Sequence, residues 1–352
     1  MPYPKTYVDA MLVNWGDRLF YAPLRHVSAP RLSRVRLGDA AARMREQLAR
    51  TLDGAPEAMV KITNRASGAQ GMGAVRRHLR YISRNGQVEL EDQDGQIIAG
   101  AAALRDLAHV WQFGGWGIPE ESSHREVFNV VLSMPAGTDR EAVREAARAF
   151  AALEFGDGRS YVFAAHDDEA HPHVHLSIRS RGPEGRRLNP RYRDLQRWRE
   201  RFAEQLRAHG IEANATSRRT RGVTRRYPGQ AVVHMLDCGE APRYWRGCAS
   251  ETQRRVAYEA HRGVFVAWRE MARTMAVSDA PADRTMAVGI VDFVRSMPVQ
   301  REAHARGQQQ VVPRMLAHDR MPDAAPEPSQ ADSGTPAGRH REDAGTEPGV
   351  ER

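Results

Sequence analysis

Four histidines fall within eleven positions in HDDEAHPHVHL, residues 166–176. Imidazole binds divalent metals readily, and three imidazoles leave coordination positions open, which is a catalytic arrangement rather than a closed structural one. Two flanking segments read as strands. RSYVFAAH (159–166) and HVHLSIRS (173–180) are rich in β-branched and aromatic residues, and DDEAHP joins them into a hairpin. Side chains alternate faces along a strand, so His173 and His175 share one face while Val174, Leu176 and Ile178 point into a core. His166 closes the first strand, across the turn from them. The spacing therefore predicts convergence of His166, His173 and His175. His171, before Pro172, is a candidate fourth ligand or DNA contact, and Asp168 and Glu169 could fix an imidazole tautomer. The plain alternative, a solvated histidine-rich loop, does not explain the apolar alternation.

A metal with open positions needs a reaction partner. AVRRHLRYISR (74–84) reads as a helix stopped by Asn85-Gly86. At 100° per residue Val75, Leu79 and Ile82 form a buried stripe, and Arg76, Arg77, Arg80 and Arg84 cover the opposite arc. Tyr81 lies at the border, its hydroxyl near a basic surface. Such a tyrosine suits attack on a phosphodiester, although on the helix alone an ordinary boundary tyrosine is the simpler reading.

The elements that must position these groups follow from the pattern. AMVKIT (58–63) reads as a strand, ASGAQGMG as a flexible loop and REVFNVVLSM (125–134) as a buried strand. TDREAVREAARAFAALEF (138–155) is a helix with the capping box Thr138/Glu141. NPRYRDLQRWRERFAEQLRAHG (189–210) is a helix with Asn189 as cap, Pro190 at its first position and Gly210 beyond its end. This order implies an α+β fold: a mostly antiparallel sheet with flanking helices. A helical lead (1–56), with Asp39 as cap and Gly54 as stop, precedes the α+β domain (57–222) that carries these residues. A basic linker and helical segment (223–315) and a disordered tail (316–352) follow.

The formal charge is +8, and of 52 basic residues only Lys5 and Lys61 are lysines. Residues 319–352 hold eight acids and four bases, which leaves +12 on the rest. A basic, arginine-rich body suits a polyanion, because the guanidinium fork grips phosphate. No apolar run reaches the ~18 residues of a membrane span, and the start lacks a secretory signal pattern, so no membrane insertion is expected. Cys238 and Cys248 make no disulfide framework and read as reduced thiols.

RRHLRYISRNG, REVFNVVLSMP and HDDEAHPHVHLSI, in this order, resemble the plasmid mobilisation relaxases, HUH endonucleases of the relaxase/mobilisation nuclease family. The resemblance runs over about residues 57–220 and implies a relaxase nuclease domain (57–222) with a sheet of about five strands, the histidines on its central strands. It implies that Tyr81 is the nucleophile, that His166, His173 and His175 hold a divalent metal (Mg²⁺ or Mn²⁺), and that Asp168 fills the acidic catalytic position. It further implies single-stranded or extruded DNA at an origin of transfer as substrate. Relaxosome accessory proteins and a coupling protein would be partners, and a bacterial cytoplasm the setting. Arg76, Arg77, Arg80, Arg84, Arg186 and Arg187 are the expected nucleic-acid contacts. The sequence departs from the family in its long lead and in the region shortly after the last histidine, where many relatives carry Asn and this chain has Arg179. Two other readings are weighed beside it. A histidine-triad nucleotide hydrolase would use HPHVH but needs neither His166 nor Tyr81, and a non-catalytic DNA-binding accessory protein would need none of the four.

Overall fold

The computed structural model describes residues 3–21, 33–64, 71–223, 235, 238 and 250–304. Cys248, the tail at 316–352 and much of the 223–249 linker lie outside the described residues; Cys238 is exposed. The compact unit ends at Arg306.

Six strands form one antiparallel sheet in the order β1-β4-β6-β5-β2-β3. They are β1 Met59–Ile62, β2 Leu90–Asp92, β3 Ile97–Ile98, β4 Val127–Ser133, β5 Tyr161–His166 and β6 His173–Arg179. The expected count of about five is exceeded by the two-residue edge strand β3, too short to leave a periodic signal. The histidine strands β5 and β6 lie in the interior of the sheet, as anticipated.

Each face is covered by helices for a reason visible in the residues. On one face Val174, Leu176 and Ile178 of β6 meet Phe150 and Phe155 of α5 (Arg140–Phe155) and Trp198 and Phe202 of α6 (Tyr192–Ala208). On the other, Val162 and Ala164 of β5 meet Met72, Val75, Leu79 and Ile82 of α3 (Met72–Ile82) and Leu104, Ala108 and Trp111 of α4 (Gly100–Phe113). The stripe predicted for α3 is therefore buried. α4 was not anticipated, although Leu104, Ala108 and Trp111 stand at i, i+4 and i+7. Its N-cap is Ala99, which has no capping side chain, so the usual start signal is missing.

Helix starts differ from those expected. Asp139, not Thr138, caps α5: its carboxylate accepts from the Ala142 N–H at 2.8 Å, while the Thr138 hydroxyl donates to the Pro135 carbonyl. α6 begins at Tyr192 with Arg191 as N-cap, whose N–H donates to Asp194, so Asn189 and Pro190 precede the helix. Gly210, at φ +81°, follows its end as predicted. The lead holds α1 (Lys5–Phe20) and α2 (Arg34–Leu52), and α2 is capped by Ser33 instead of Asp39.

The lead and the C-terminal helices share one core. Leu12, Leu19 and Leu48 pack with Trp268 and Met271 of α7 (Glu251–Ala276) and Ile290 of α8 (Pro281–Ser296). A short α9 (Pro298–His304) follows. Arg45 of α2 joins the three sections: it donates to Asp9 of α1 at 2.8 Å and, through two nitrogens, to Asp283 of α8 at 2.8 and 3.0 Å. Both carboxylates are buried. Arg45→Ala takes the shared guanidinium from two buried acids, leaving Asp283 with no cation bonded to it, and is expected to destabilise the protein by ~3–5 kcal/mol. Urea unfolding checks this; an unchanged midpoint would show that this bridge does not hold the sections together.

Candidate active site

Strand register brings the histidines together. His166 and His173 are direct cross-strand partners, and His175 lies opposite Ala164, two residues along the same face. One ligand nitrogen from each lies within 4.8 Å of the others. The ring centroids of His166 and His175 are 4.5 Å apart, and His173 lies 5.2 Å from each.

The tautomers are set by backbone carbonyls, not by the loop acids. The last carbonyls of a helix have no partner within it. The Ile82 carbonyl, at the end of α3, accepts from His166 Nε2 at 2.7 Å. That assigns the proton to Nε2 and leaves a lone pair on Nδ1, which is buried and has no partner. His173 Nδ1 donates to the His171 carbonyl at 3.0 Å and so frees its Nε2. An orphaned buried imidazole nitrogen beside two others is a donor set that fits a divalent cation. Burial, and then the charges of His166, His173, His78 and Arg84, push His175 down to about 3, so its imidazole is neutral. His171 is exposed and contributes its carbonyl, not a fourth nitrogen to the cluster.

Tyr81 comes to this cluster from α3. Its ring stands edge-on to His175 at 5.7 Å, and it is 55% exposed. Arg84 sits over the Tyr81 ring at 5.4 Å and binds Asp168. Asp168 thus orients a guanidinium, where the sequence suggested a carboxylate on an imidazole. Burial alone would raise its carboxyl, but Arg84 outweighs this and holds it below the ordinary value. The chain reverses here through Arg84 (φ +49°) and Asn85 (φ +60°), two non-glycine residues in the left-handed region. Such backbone is costly and gathers at functional sites.

Two residues that sequence reasoning passed over belong to the site. His78 is three residues before Tyr81 on the same helix, with ring centroids 6.1 Å from Tyr81 and 6.5 Å from His175. Burial pushes it down to about 4, and its Nε2 has no partner. Its i, i+3 relation to Tyr81 was the available signal. Arg140, at the start of α5, ties down the 167–169 loop through Asp167 at 3.2 Å and the Glu169 carbonyl at 2.5 Å.

The expected DNA-binding arginines divide. Arg77, Arg80 and Arg186 are exposed. Arg76 is engaged by Glu120 and by Gln112 at 3.2 Å. Arg187 donates to buried Glu126 at 2.9 Å, to Ser180 and to the Arg125 carbonyl, so it braces the fold rather than standing free for phosphate.

A protein-family model described as "Relaxase: MobA/VirD2-like, nuclease domain" matches residues 103–211, which contain all three histidines. Over those residues the chain is similar to the MobA/VirD2-like relaxases. It is 32% identical over 177 residues to the T-DNA border endonuclease VirD2 of Rhizobium radiobacter, covering 45% of this chain and 42% of that protein. It is 30% identical over 191 residues to the VirD2 of Agrobacterium fabrum, covering 49% and 43%. The chain therefore aligns with less than half the length of these relatives. The family match begins beyond Tyr81, so the tyrosine's place in the site rests on the geometry above. No helix among the described residues is long and apolar enough to cross a membrane.

Proposed function

We propose that this protein is a relaxase, a site- and strand-specific DNA nickase that opens single-stranded or extruded DNA at a plasmid origin of transfer. The observation that carries the reading is Tyr81 edge-on to His175 at 5.7 Å, within a cluster of three imidazole nitrogens 4.8 Å or less apart. In this reading the Tyr81 oxygen attacks phosphorus, and its bond to phosphorus replaces the bond to the 3′ oxygen. The strand end is left as a 5′ phosphotyrosine and the released 3′ hydroxyl takes a proton. The phosphodiester energy is kept in the new ester, so the reverse reaction reseals the strand.

His166, His173 and His175 would hold a divalent cation, Mg²⁺ or Mn²⁺. Bound there, such an ion supplies Lewis-acid polarisation of the scissile phosphate's oxygens. The protein's own groups do the rest. Arg84, fixed by Asp168 and by the Tyr81 ring, faces the phosphate's charge beside the nucleophile. Arg77 and Arg80 on the exposed face of α3 meet neighbouring phosphates. His78, neutral and with a bare nitrogen, adjoins the tyrosine. Asp168 then acts through Arg84, as a positioning residue. His166 supplies one of the converging nitrogens, which a histidine-triad hydrolase would not require, and the intact tyrosine disfavours a purely binding role. VirD2 is named as a T-DNA border endonuclease, which supports a DNA strand as the substrate. Relaxosome accessory proteins and a coupling protein, in a bacterial cytoplasm, complete the reading.

The test is a denaturing gel with end-labelled oligonucleotides from the cognate plasmid's candidate origins, in Mg²⁺, Mn²⁺ or EDTA. The expected result is a metal-dependent nick with a protein-linked 5′ fragment. Binding without a nick on the correct origin would favour an accessory protein. Nucleotide hydrolysis in EDTA, without action on DNA, would favour the histidine triad.

A further inference from the structure

Arg179 closes β6 on the same face as His173 and His175, since alternate residues share a face. Six residues at ~3.4 Å each put it about 20 Å from His173, at the opposite end of the strand. It is only 9% exposed. No carboxylate among the described residues pairs with it. Glu126, the acid acting on it through space, is bound to Arg187 at 2.9 Å and to Ser122 at 2.7 Å. Its guanidinium donates a long hydrogen bond, 3.4 Å, to the Gly114 carbonyl. A buried guanidinium without an anion is costly.

This side chain lines a cleft of about 650 Å³ with Arg181, Trp116 and the side-chain-free walls of Gly114, Gly158 and Gly182. The indole is 52% exposed, yet it is held. Its Nε1 donates to the Pro183 carbonyl at 2.9 Å, and Arg181 lies 5.6 Å from its ring centre. Gly185 makes room for it: a Cβ there would stand 2.7 Å from the ring. Two cations and an oriented aromatic face, in a cleft lined by no acid, match the two halves of a nucleotide. The cleft is also connected to the tyrosine. Arg76, five residues before Tyr81, donates to Gln112 at 3.2 Å, and the 74%-exposed Phe113 and then Trp116 follow.

We propose that this cleft is a second strand-binding site, which takes one nucleotide of the single strand away from the nick, with its phosphate on Arg179 and its base on Trp116. The proposal deepens the nicking reading and rests on it. The strand would run from the histidines along Arg80, Arg77 and Arg76 of α3 to the cleft.

The test is fluorescence anisotropy of the full chain with a labelled oligothymidylate at several salt concentrations. Base stacking is worth ~1–3 kcal/mol, so Trp116→Leu should weaken binding about tenfold. Arg179→Met should weaken it and lower the slope of log K against log salt by about 0.7. It should also keep or raise the melting temperature, because an unpaired buried cation is removed; a merely structural arginine would lower it. Wild-type affinity and slope in both variants, with nicking intact in the parent, would overturn the cleft and spare the nicking reading. A parent that binds the strand through this cleft but never nicks would overturn the nicking reading alone. Saturable binding of dTMP that the oligonucleotide does not displace would mark a free-nucleotide site and overturn the proposal.

Discussion

Tyr81→Phe is expected to abolish strand cleavage, by at least about 10³-fold, and to leave strand affinity within about twofold. The substitution removes one oxygen, and that oxygen is the proposed nucleophile. The ring remains, and with it the edge contact to His175 and the cation–π contact with Arg84. Tyr81 is 55% exposed, and the side-chain hydrogen bonds described for the site do not involve its hydroxyl, so folding should change by no more than about 0.5 kcal/mol. Two readouts separate chemistry from binding: the protein-linked 5′ fragment on a denaturing gel, and anisotropy with the same oligonucleotide. Loss of the first with retention of the second is the expected pair. Normal cleavage by the phenylalanine variant would place the nucleophile elsewhere. Loss of both would show that the hydroxyl binds the strand instead.

The histidine hairpin was legible because strand alternation is a local rule. His173 and His175 oppose Val174, Leu176 and Ile178 by period alone, and the short loop made His166 the cross-strand partner of His173. The stripe of α3, and the bordering Tyr81, were legible for the same reason with a period of 3.6. What fixes the imidazole tautomers was not. The Ile82 carbonyl is 84 positions from His166, and a carbonyl belongs to every residue, so composition carries no trace of it. A loop acid looked like the better orienter, but Asp168 is taken by Arg84. Arg187 was expected as a phosphate contact from the family resemblance, with no partner in view. Its partner, Glu126, is 61 residues away. The joining of the lead to α7 and α8 depends in the same way on Arg45 reaching Asp283 across 238 residues. Local periodicity thus gave the elements and the face of the site, while long-range polar pairing, which decides the roles of individual charges, left no pattern to read.

Removal of divalent metal should eliminate cleavage, and a readout independent of activity should identify the ligands. A cation that binds only the folded chain stabilises it by about 2.7 kcal/mol at a hundredfold excess over its dissociation constant. Mn²⁺ should therefore raise the melting temperature of the wild-type protein, and EDTA should reverse the rise. His166→Ala, His173→Ala and His175→Ala should each lose this stabilisation along with cleavage. Their metal-free stabilities should differ. His166→Ala leaves the Ile82 carbonyl, at the buried end of α3, without its donor and should cost ~1–3 kcal/mol. His173 is half-buried, and its described bond runs to the carbonyl of exposed His171, which water can replace, so His173→Ala should cost little in EDTA. A Mn²⁺ shift that survives all three substitutions would show that the ion binds elsewhere. Equal metal-free stability of the His166 and His173 variants would show that the Ile82 carbonyl does not hold the His166 ring in place.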